Sequence, residues 1–414
     1  MAYLDGLRGL AALQVVFLHY VSAFLPVIAM AGTGPAALMA AHGWQAALGR
    51  SPAIFLINGY SAVYIFFLLS GYVLRHAFAR IDSVAVGVWR RLVRLGLPAS
   101  VAVLYAGAVL AMDYHAHVQA AAISGSTNWL GVLMATPPTP VPVLRDAVLN
   151  SVLTGYSGAN GFPFLRHLIP MPDLLHAFDP PTWTLNVELS GSVLCLGLSF
   201  VERRRRALLP YVIAALALWL GASQWFLFAF GYAMAGRREM GRREMGQPEI
   251  GQREIGPGRL RAAGAVVALI AGILLCRLTP TAPVLLLHAL LRHQHPPDPF
   301  HFSNQIGAIL IFLGVLNLPR AQALLERRLP QFLGRISFSL YLVHFPVMAT
   351  LGCGVFITLA PRFGAVAGCL GALAVGLAAT LPIAVLFERH VDRLAVRLSR
   401  RSPAFLAPAT DIAG

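Results

Sequence analysis

Residues 3–20 read YLDGLRGLAALQVVFLHY, a stretch that predicts an apolar helix with an arginine at one end and a histidine deep inside it. Arg8 and His19 are eleven positions apart. Eleven positions are about three helical turns, so both side chains project from one face about 16 Å apart. Ionisable side chains are costly in lipid and usually mark a site or pathway. The alternative interpretation is an anchoring arginine, paired with Asp5, and a hydrogen-bonded bundle histidine.

The whole chain has the composition of a polytopic membrane protein. Of its 414 residues, 57% are hydrophobic and 12% are charged, and the mean hydropathy is +0.68. Soluble domains carry about 25% charged residues. The first apolar run continues past Val27 without a small-residue cleavage pattern, so we expect no cleavable signal peptide. The four cysteines form no CxxC pair, and we expect no disulfide framework and no zinc site.

Apolar segments of about 20 residues, the length that crosses a bilayer, predict ten spans. They lie near residues 8–28, 53–74, 96–112, 182–201, 207–222, 223–236, 262–279, 303–318, 336–357 and 364–387. The predicted fold is an all-α integral membrane bundle of about ten transmembrane helices. Residues 1–400 form a single membrane domain in this prediction, and residues 401–414 form a short cytoplasmic tail.

The basic residues predict the orientation of the bundle. All 32 are arginine, and the net charge is +15. Six lie in the predicted outer segments: Arg50, Arg145, Arg166, Arg277, Arg292 and Arg362. The other 26 lie on the opposite side, so the positive-inside rule places both termini in the cytoplasm. Because the arginines cluster in short segments between apolar runs, we expect no nucleic-acid partner.

Two segments outside the spans differ from the rest in composition. Residues 113–181 are rich in Pro, Gly and His and have no strong period, which is typical of a functional or poorly ordered external loop. Residues 236–256 repeat a five-residue unit as GRREM, GRREM, GQPEI and GQREI. This low-complexity repeat predicts a solvated cytoplasmic linker.

Polar residues at the predicted cytoplasmic mouth suit an anionic ligand. The second span ends with FFLLSGYVL, in which Ser70 and Gly71 allow close approach of backbones. Arg91 and Arg94 are three positions apart and share a helix face. A guanidinium presents a fork that suits phosphate. The pair predicts either a phosphate clamp or a positive-inside cluster.

The fourth predicted span carries further candidate residues. PTWTLNVELS at 181–190 places Trp183 at the interface, Asn186 beside it and Glu188 about one and a half turns inside. A carboxylate at that depth needs a partner or a proton, so we expect Glu188 to orient His19 or to act as a base.

The ninth span, ISFSLYLVHFPV at 336–347, places three polar side chains on one stripe. Ser337, Tyr341 and His344 follow at spacings of four and three residues. His344 is either a second functional histidine or a structural one. External histidines cluster at His115 and His117, and at His293, His295 and His301 with Asp298. HxH pairs are common in loops, and we expect no metal there.

These motifs resemble the acyltransferase-three family of integral membrane acyltransferases. LDGLRGLAALQVVFLH, FFLLSGYVL, RRLVRLGLP, PTWTLNVELS and ISFSLYLVHFPV occur in the family's order, and the resemblance extends through FERHVDR at 387–393. It implies O-acylation, most often O-acetylation, of cell-surface or exported glycans, with cytoplasmic acyl-coenzyme A as donor and no metal. The implied location is the bacterial inner membrane.

The resemblance also assigns residues. Arg8 and His19 match the family's essential arginine and histidine, Arg91 and Arg94 its cytoplasmic arginine pair, and Glu188 its acidic residue. Departures lie at Leu189, where many members have a second acid, and at Val343 and Phe345, where a tryptophan usually flanks the late histidine. These departures bear on the identity of the acceptor more than on the type of reaction. We expect no fused hydrolase-like domain after the last span.

The predicted mechanism joins these residues along the first helix. Coenzyme A phosphates meet Arg8, Arg91 and Arg94, with Ser70 nearby, and the pantetheine arm runs toward His19. His19 is the general base, supported by Glu188, and the acceptor contacts Trp183, Asn186, Tyr341 and His344. An acyl-enzyme route is a variant. The rival classes are a secondary transporter that uses buried Arg, His and Glu as a proton or solute path, and a non-catalytic scaffold.

Overall fold

The computed structural model is a bundle of helices. It describes residues 1–31, 34–81, 83–157, 168–244, 259–277, 280–294 and 296–401, and no β-strand forms within those ranges. The ten principal helices are α1 (Ala2–Phe24), α2 (Gly59–Phe78), α3 (Val84–Met112), α4 (Trp183–Arg204), α5 (Leu209–Leu220), α6 (Gln224–Glu244), α7 (Arg259–Leu275), α8 (Pro299–Asn317), α9 (Arg328–Val347) and α10 (Cys353–Phe387).

Shorter helical segments connect these elements. They are Pro26–Ala29, Ala36–Ala41, Gly43–Arg50, Pro52–Ile57, Ala116–Ser124, Pro140–Arg145, Asp146–Thr154, Leu174–His176, Pro180–Thr182, Arg206–Leu208, Ala282–Leu290, Arg292–Gln294, Pro319–Leu325, Met348–Gly352, Glu388–Asp392 and Arg393–Ser399. Three of them, Asp146–Thr154, Met348–Gly352 and Glu388–Asp392, are π-helical.

The all-helical fold class is confirmed, and a helix overlaps each of the ten predicted spans. Among the described residues, six stretches are long and apolar enough to cross a bilayer: Ala2–Phe24, Gly59–Phe78, Val84–Met112, Pro180–Arg204, Pro299–Asn317 and Arg328–Ser399. Helices α5 and α7 are apolar but shorter. The chain is therefore a multi-pass membrane protein, whereas ten crossings and cytoplasmic termini stay predictions.

The last stretch, Arg328–Ser399, is 72 residues long, more than one crossing needs. Its helical path breaks at Gly364, where φ is 86° and ψ is 161°, a conformation that glycine adopts without a Cβ clash. Gly368 lies against Ala360, and Gly371 lies against Leu359. The segments on either side of Gly364 therefore run antiparallel as a hairpin, at the break predicted between the ninth and tenth spans.

Small residues bring α1 and α9 into backbone contact. A methyl group on Gly9 would overlap the backbone nitrogen of Gly334, and one on Gly334 would overlap the backbone oxygen of Asp5. Such contacts let membrane helices pack at short range. The close approach allows polar side chains of α1 to reach partners on α9 at two depths.

The external segment predicted at 113–181 is folded over much of its length. Ser124 donates a hydrogen bond to the backbone oxygen of Ala23 (2.7 Å), and Ser126 donates to that of Ser22 (2.8 Å). These bonds fix the segment to the end of α1 that carries His19. Residues 158–167 lie outside the described residues, as do most of the predicted 236–256 linker and the predicted tail after Arg401.

Candidate active site

A pair of imidazoles joins α1 to α9. His19 Nδ1 lies 2.7 Å from His344 Nε2, and the two rings stack with centroids 5.0 Å apart. His344 is fully buried, and its Nδ1 lies 3.1 Å from the backbone oxygen of Leu340, one turn earlier in α9. The chain of contacts runs from the helix backbone through His344 to His19.

The backbone oxygen of Leu340 fixes which nitrogens carry hydrogen. A carbonyl oxygen only accepts, so His344 Nδ1 must be the donor in that bond. In the neutral pair His344 Nε2 then accepts the hydrogen of His19 Nδ1, which leaves the lone pair on His19 Nε2. This tautomer can accept a proton from a substrate.

His19 lines a cavity of about 530 Å³, within the range of small-molecule sites. Trp129 stacks with the His19 ring at 6.0 Å between centroids, and Phe345 meets it edge-on at 5.2 Å. Trp129 comes from the external segment, which therefore contributes a wall. Further lining residues are Tyr60, Tyr64, Trp183, Trp225, His301 and Tyr341.

The predicted acceptor residues separate into two groups. Trp183 and Tyr341 line the cavity, and the Tyr341 hydroxyl donates to the backbone oxygen of Pro181 at 2.9 Å. His344 lies behind His19. Asn186 is fully buried, and its amide donates hydrogen bonds to the backbone oxygens of Val152 (2.8 Å) and Leu153 (2.9 Å). Asn186 therefore fastens the external segment to α4.

Arg8 lies at the exposed end of the same α1–α9 seam. Its Nε donates to Ser337 Oγ at 2.9 Å, and its Nη2 donates to the backbone oxygen of Gly334 at 3.1 Å. Asp5 pairs with it at 3.2 Å, as expected from their spacing. The Arg8 side chain keeps 42% of its surface exposed, so it is accessible to a ligand.

Glu188 has partners other than the predicted one. Its Oε1 accepts from Arg91 Nη2 at 2.8 Å and from Ser70 Oγ at 3.1 Å, while Arg91 Nε donates to Ser192 Oγ at 2.8 Å. A half-buried carboxylate is stabilised better by a guanidinium and a hydroxyl than by a neutral imidazole. The expectation that Glu188 orients His19 is therefore corrected: the partner of His19 is His344.

Arg94 also has a carboxylate partner. It pairs with Asp392, in the FERHVDR segment, and its guanidinium lies over the Phe338 ring at 5.2 Å from the centroid. Arg91 and Arg94 share a helix face as predicted, but each is engaged with an acid. The Arg94 ion pair joins α3 to the segment after α10, and the Arg91 ion pair joins α3 to α4.

Comparison with known proteins settles the family. A family model described as an acyltransferase domain matches residues 1–381. The chain belongs to the acyltransferase-three family. The O-acetyltransferase PaAT-1 of Phomopsis amygdali is 25% identical over 405 residues, covering 85% of this chain and 73% of that protein. Acyltransferase R4 of a Phoma species is 24% identical over 406 residues, covering 86% and 84%.

A third relative matches a shorter part of this acyltransferase. Acyltransferase clz18 of Cochliobolus lunatus is 31% identical over 105 residues, covering 23% of this chain and 21% of that protein. No solved structure shows a significant match.

Sequence reasoning missed several cavity residues of this acyltransferase. Trp129 lies in an aperiodic segment, where no pattern indicates which side chain turns inward. From sequence, His301 belongs to an external histidine cluster whose only apparent use is metal binding. In the structure it lines the cavity beside Tyr64. Within the described ranges, no group of three or more His, Cys, Asp or Glu side chains could hold a metal ion, and His295 lies outside those ranges.

The external segment contains a buried acidic pair, Asp146 and Asp179. Asp146 accepts hydrogen bonds from the Tyr156 hydroxyl (2.8 Å) and the Phe178 backbone nitrogen (3.1 Å). Asp179 is fully buried, and no described residue donates to either of its carboxyl oxygens. Burial, with the charge of Asp146 nearby, raises the pKa of Asp179 well above its usual value.

Proposed function

We propose that this acyltransferase moves an acetyl group from cytoplasmic acetyl-coenzyme A to a hydroxyl group of a cell-surface or exported glycan. The observation that carries the proposal is His19, which lines the cavity with its Nε2 lone pair fixed by the hydrogen bond to His344. Family membership favours acyl transfer over a transporter. The acetyl group is favoured because one relative is named an O-acetyltransferase.

The chemical step needs one base and no change of oxidation state. His19 Nε2 takes the proton of the acceptor hydroxyl as its oxygen attacks the thioester carbonyl carbon. The new ester C–O bond forms, the C–S bond breaks, and the departing thiolate takes the proton back from the imidazolium. His344 holds the ring orientation and accepts the Nδ1 hydrogen throughout, as the third member of a triad does.

The donor enters from the arginine-rich end in this proposal. Arg8 is the first contact for the phosphates, because its side chain is accessible and points along the seam that leads to His19. Arg91, Arg94 and Ser70 complete the donor site. When phosphate binds, it replaces the carboxylate partners of Arg91 and Arg94 or shares the guanidinium groups with them. A guanidinium binds carboxylate and phosphate in the same fork geometry.

Glu188 acts on the donor side of the reaction centre. Its ion pair with Arg91 and its hydrogen bond from Ser70 join α2, α3 and α4. It therefore positions the arginine instead of serving as the base. Trp183 and Tyr341 contact the acceptor, which enters from the side of the external segment.

The proposed location follows from the arginine distribution. The arginine-rich end faces the compartment that contains coenzyme A, and the cavity mouth faces the opposite side. A bacterial inner membrane satisfies this arrangement. The relatives reported above are fungal, so a fungal internal membrane satisfies it equally.

The test uses purified protein in detergent with radiolabelled acetyl-coenzyme A. Wild type should bind the donor and release its thiol. Arg8→Ala should lose at least tenfold in donor affinity, because a charged contact to phosphate is removed. Arg50→Ala, which removes an arginine from the other end of the bundle, should bind as wild type does. A wild-type protein that ignores coenzyme A thioesters would overturn the proposal.

A further inference from the structure

The cavity has a second polar wall that acyl transfer at His19 does not use. The Tyr64 hydroxyl on α2 and His301 Nδ1 on α8 lie 3.0 Å apart. Gln305, one turn beyond His301, adds a polar side chain to this wall. All three line the same cavity as His19. A ligand that places one hydroxyl at His19 therefore has a second set of polar partners within the same space.

The start of α8 sets the hydrogen positions of this wall. Asp298 caps the helix through Oδ1, and its Oδ2 lies 3.8 Å from His301 Nε2. A carboxylate on that side favours hydrogen on Nε2, so Nδ1 accepts the Tyr64 hydroxyl hydrogen. Because 3.8 Å exceeds a direct hydrogen bond, Asp298 leaves the hydrogen on His301 Nε2 available to a ligand oxygen. The wall thus presents a donor.

The remaining walls of the cavity are mostly apolar. Trp129, Trp183, Trp225 and Tyr60 contribute aromatic surface, which binds apolar groups by dispersion. A hydroxyl buried among them without a partner is unfavourable. A sugar ring suits both the apolar walls and the polar wall, because its C–H faces are apolar and its hydroxyl groups project from the rim.

We propose that Tyr64 and His301 form an acceptor subsite, which binds a hydroxyl group of a sugar ring other than the hydroxyl that is acylated. The inference rests on the proposed function, because it assumes that the acceptor occupies this cavity. Two-point binding turns one hydroxyl toward His19 and makes Tyr64 and His301 positioning residues that select the acceptor. Losing one neutral hydrogen bond should weaken binding about tenfold.

The first test measures acetyl transfer from acetyl-coenzyme A to a panel of methyl hexopyranosides. Tyr64→Phe should raise KM for the accepted glycoside about tenfold, with kcat and glycoside-independent thiol release unchanged. His301→Gln, which keeps a donor, should lose less than His301→Ala. Tyr72→Phe removes a buried hydroxyl from the same helix outside the cavity, and it should behave as wild type. An unchanged KM in Tyr64→Phe would overturn the subsite.

The second test needs no donor. Trp129, Trp183 and Trp225 line the cavity, so binding of a methyl hexopyranoside should change tryptophan fluorescence in wild type and Tyr72→Phe, but only at about tenfold higher concentration in Tyr64→Phe. If no glycoside in the panel binds, the subsite is wrong even when acetyl-coenzyme A is consumed. If glycosides bind through Tyr64 and acetyl-coenzyme A is never consumed, the subsite stands and the proposed function fails.

Discussion

At the scale of single residues, the proposed chemistry depends on a hydrogen bond between two imidazoles. Leu340 holds the hydrogen on His344 Nδ1, and His344 in turn holds the tautomer of His19. Both histidines come from rigid helices whose backbones touch, so the pair is positioned before substrate arrives. Such preorganisation lets a weak base act in a fixed direction.

Removing His344 should therefore impair turnover more than donor binding. His344→Ala leaves His19 free to rotate and to adopt the other tautomer, and we expect transfer to fall about 10²-fold or more with donor affinity unchanged. Ser339→Ala is the matched control on α9, because Ser339 is equally buried and its hydroxyl has no hydrogen-bond partner among the described residues. Full activity in His344→Ala would show that His19 needs no orienting partner.

Asp179 should make stability depend on pH. Its pKa is raised in the folded state, so folding retains a proton that the unfolded chain releases. Stability is then highest below the usual carboxyl pKa of about 4 and falls as pH rises toward the raised value. Asp179→Asn should remove this slope and raise the thermal midpoint at pH 8 relative to wild type.

Thermal unfolding in detergent between pH 4.5 and 8 measures this difference. The exposed Asp173→Asn serves as control, because Asp173 caps a short helix through an oxygen that asparagine also has. A uniform loss of stability in Asp179→Asn at every pH would mean that the carboxylate has a favourable partner in the folded protein.

The sequence predicted several residues that lie at the cavity or along the α1–α9 seam, but not which side chains contact each other. Arg8, His19, Trp183 and Tyr341 were predictable because charge at lipid depth and helical spacing are local properties. The partnership of His19 with His344 joins positions 325 apart, so no local pattern reports it. From its depth in the fourth span, Glu188 was predicted to orient His19 or to act as a base, whereas the structure pairs it with Arg91.

At the scale of elements, the α1–α9 contact aligns both ends of the site. Gly9 and Gly334 allow the backbones to touch, and the two side-chain contacts, Arg8 with Ser337 and His19 with His344, follow from that distance. The apolar spans were predictable from hydropathy. The external segment was not, because its fold depends on tertiary bonds such as that from Ser126 to Ser22.

A methyl group at Gly9 should push the two helices apart. Overpacking of this kind costs about 1–3 kcal/mol, so Gly9→Ala should lower the thermal midpoint and the transfer rate together. Gly96→Ala is the control, because a methyl group there meets no atom within 4 Å. Alanine in a helix is favoured over glycine by about 0.5–1 kcal/mol, so Gly96→Ala should be neutral or stabilising. Wild-type stability in Gly9→Ala would contradict the close contact.

At the scale of the whole molecule, the proposed mechanism has the two substrates approach from opposite ends. Arg8 contacts Gly334, and Arg94 contacts Asp392. These contacts lie where the predicted cytoplasmic ends of several helices meet. The cavity lies beneath the external segment at the other end. His19 lies between these regions, which suits transfer of an acyl group across part of the membrane.

Cysteine labelling tests this orientation. The four native cysteines are buried, so background labelling should be low. Thr127→Cys, in the external segment, should react with a membrane-impermeant maleimide in intact cells, whereas Arg205→Cys should react only after lysis. The reverse result would invert the predicted topology and place the donor site on the wrong side for cytoplasmic acyl-coenzyme A.

The decisive measurement compares wild type with His19→Ala for acetyl-coenzyme A binding and for single-turnover release of its thiol. General-base catalysis by His19 predicts that His19→Ala binds the donor with wild-type affinity and releases the thiol 10²- to 10⁴-fold more slowly. Thiol release at the wild-type rate by His19→Ala would contradict the assignment of His19 as the base.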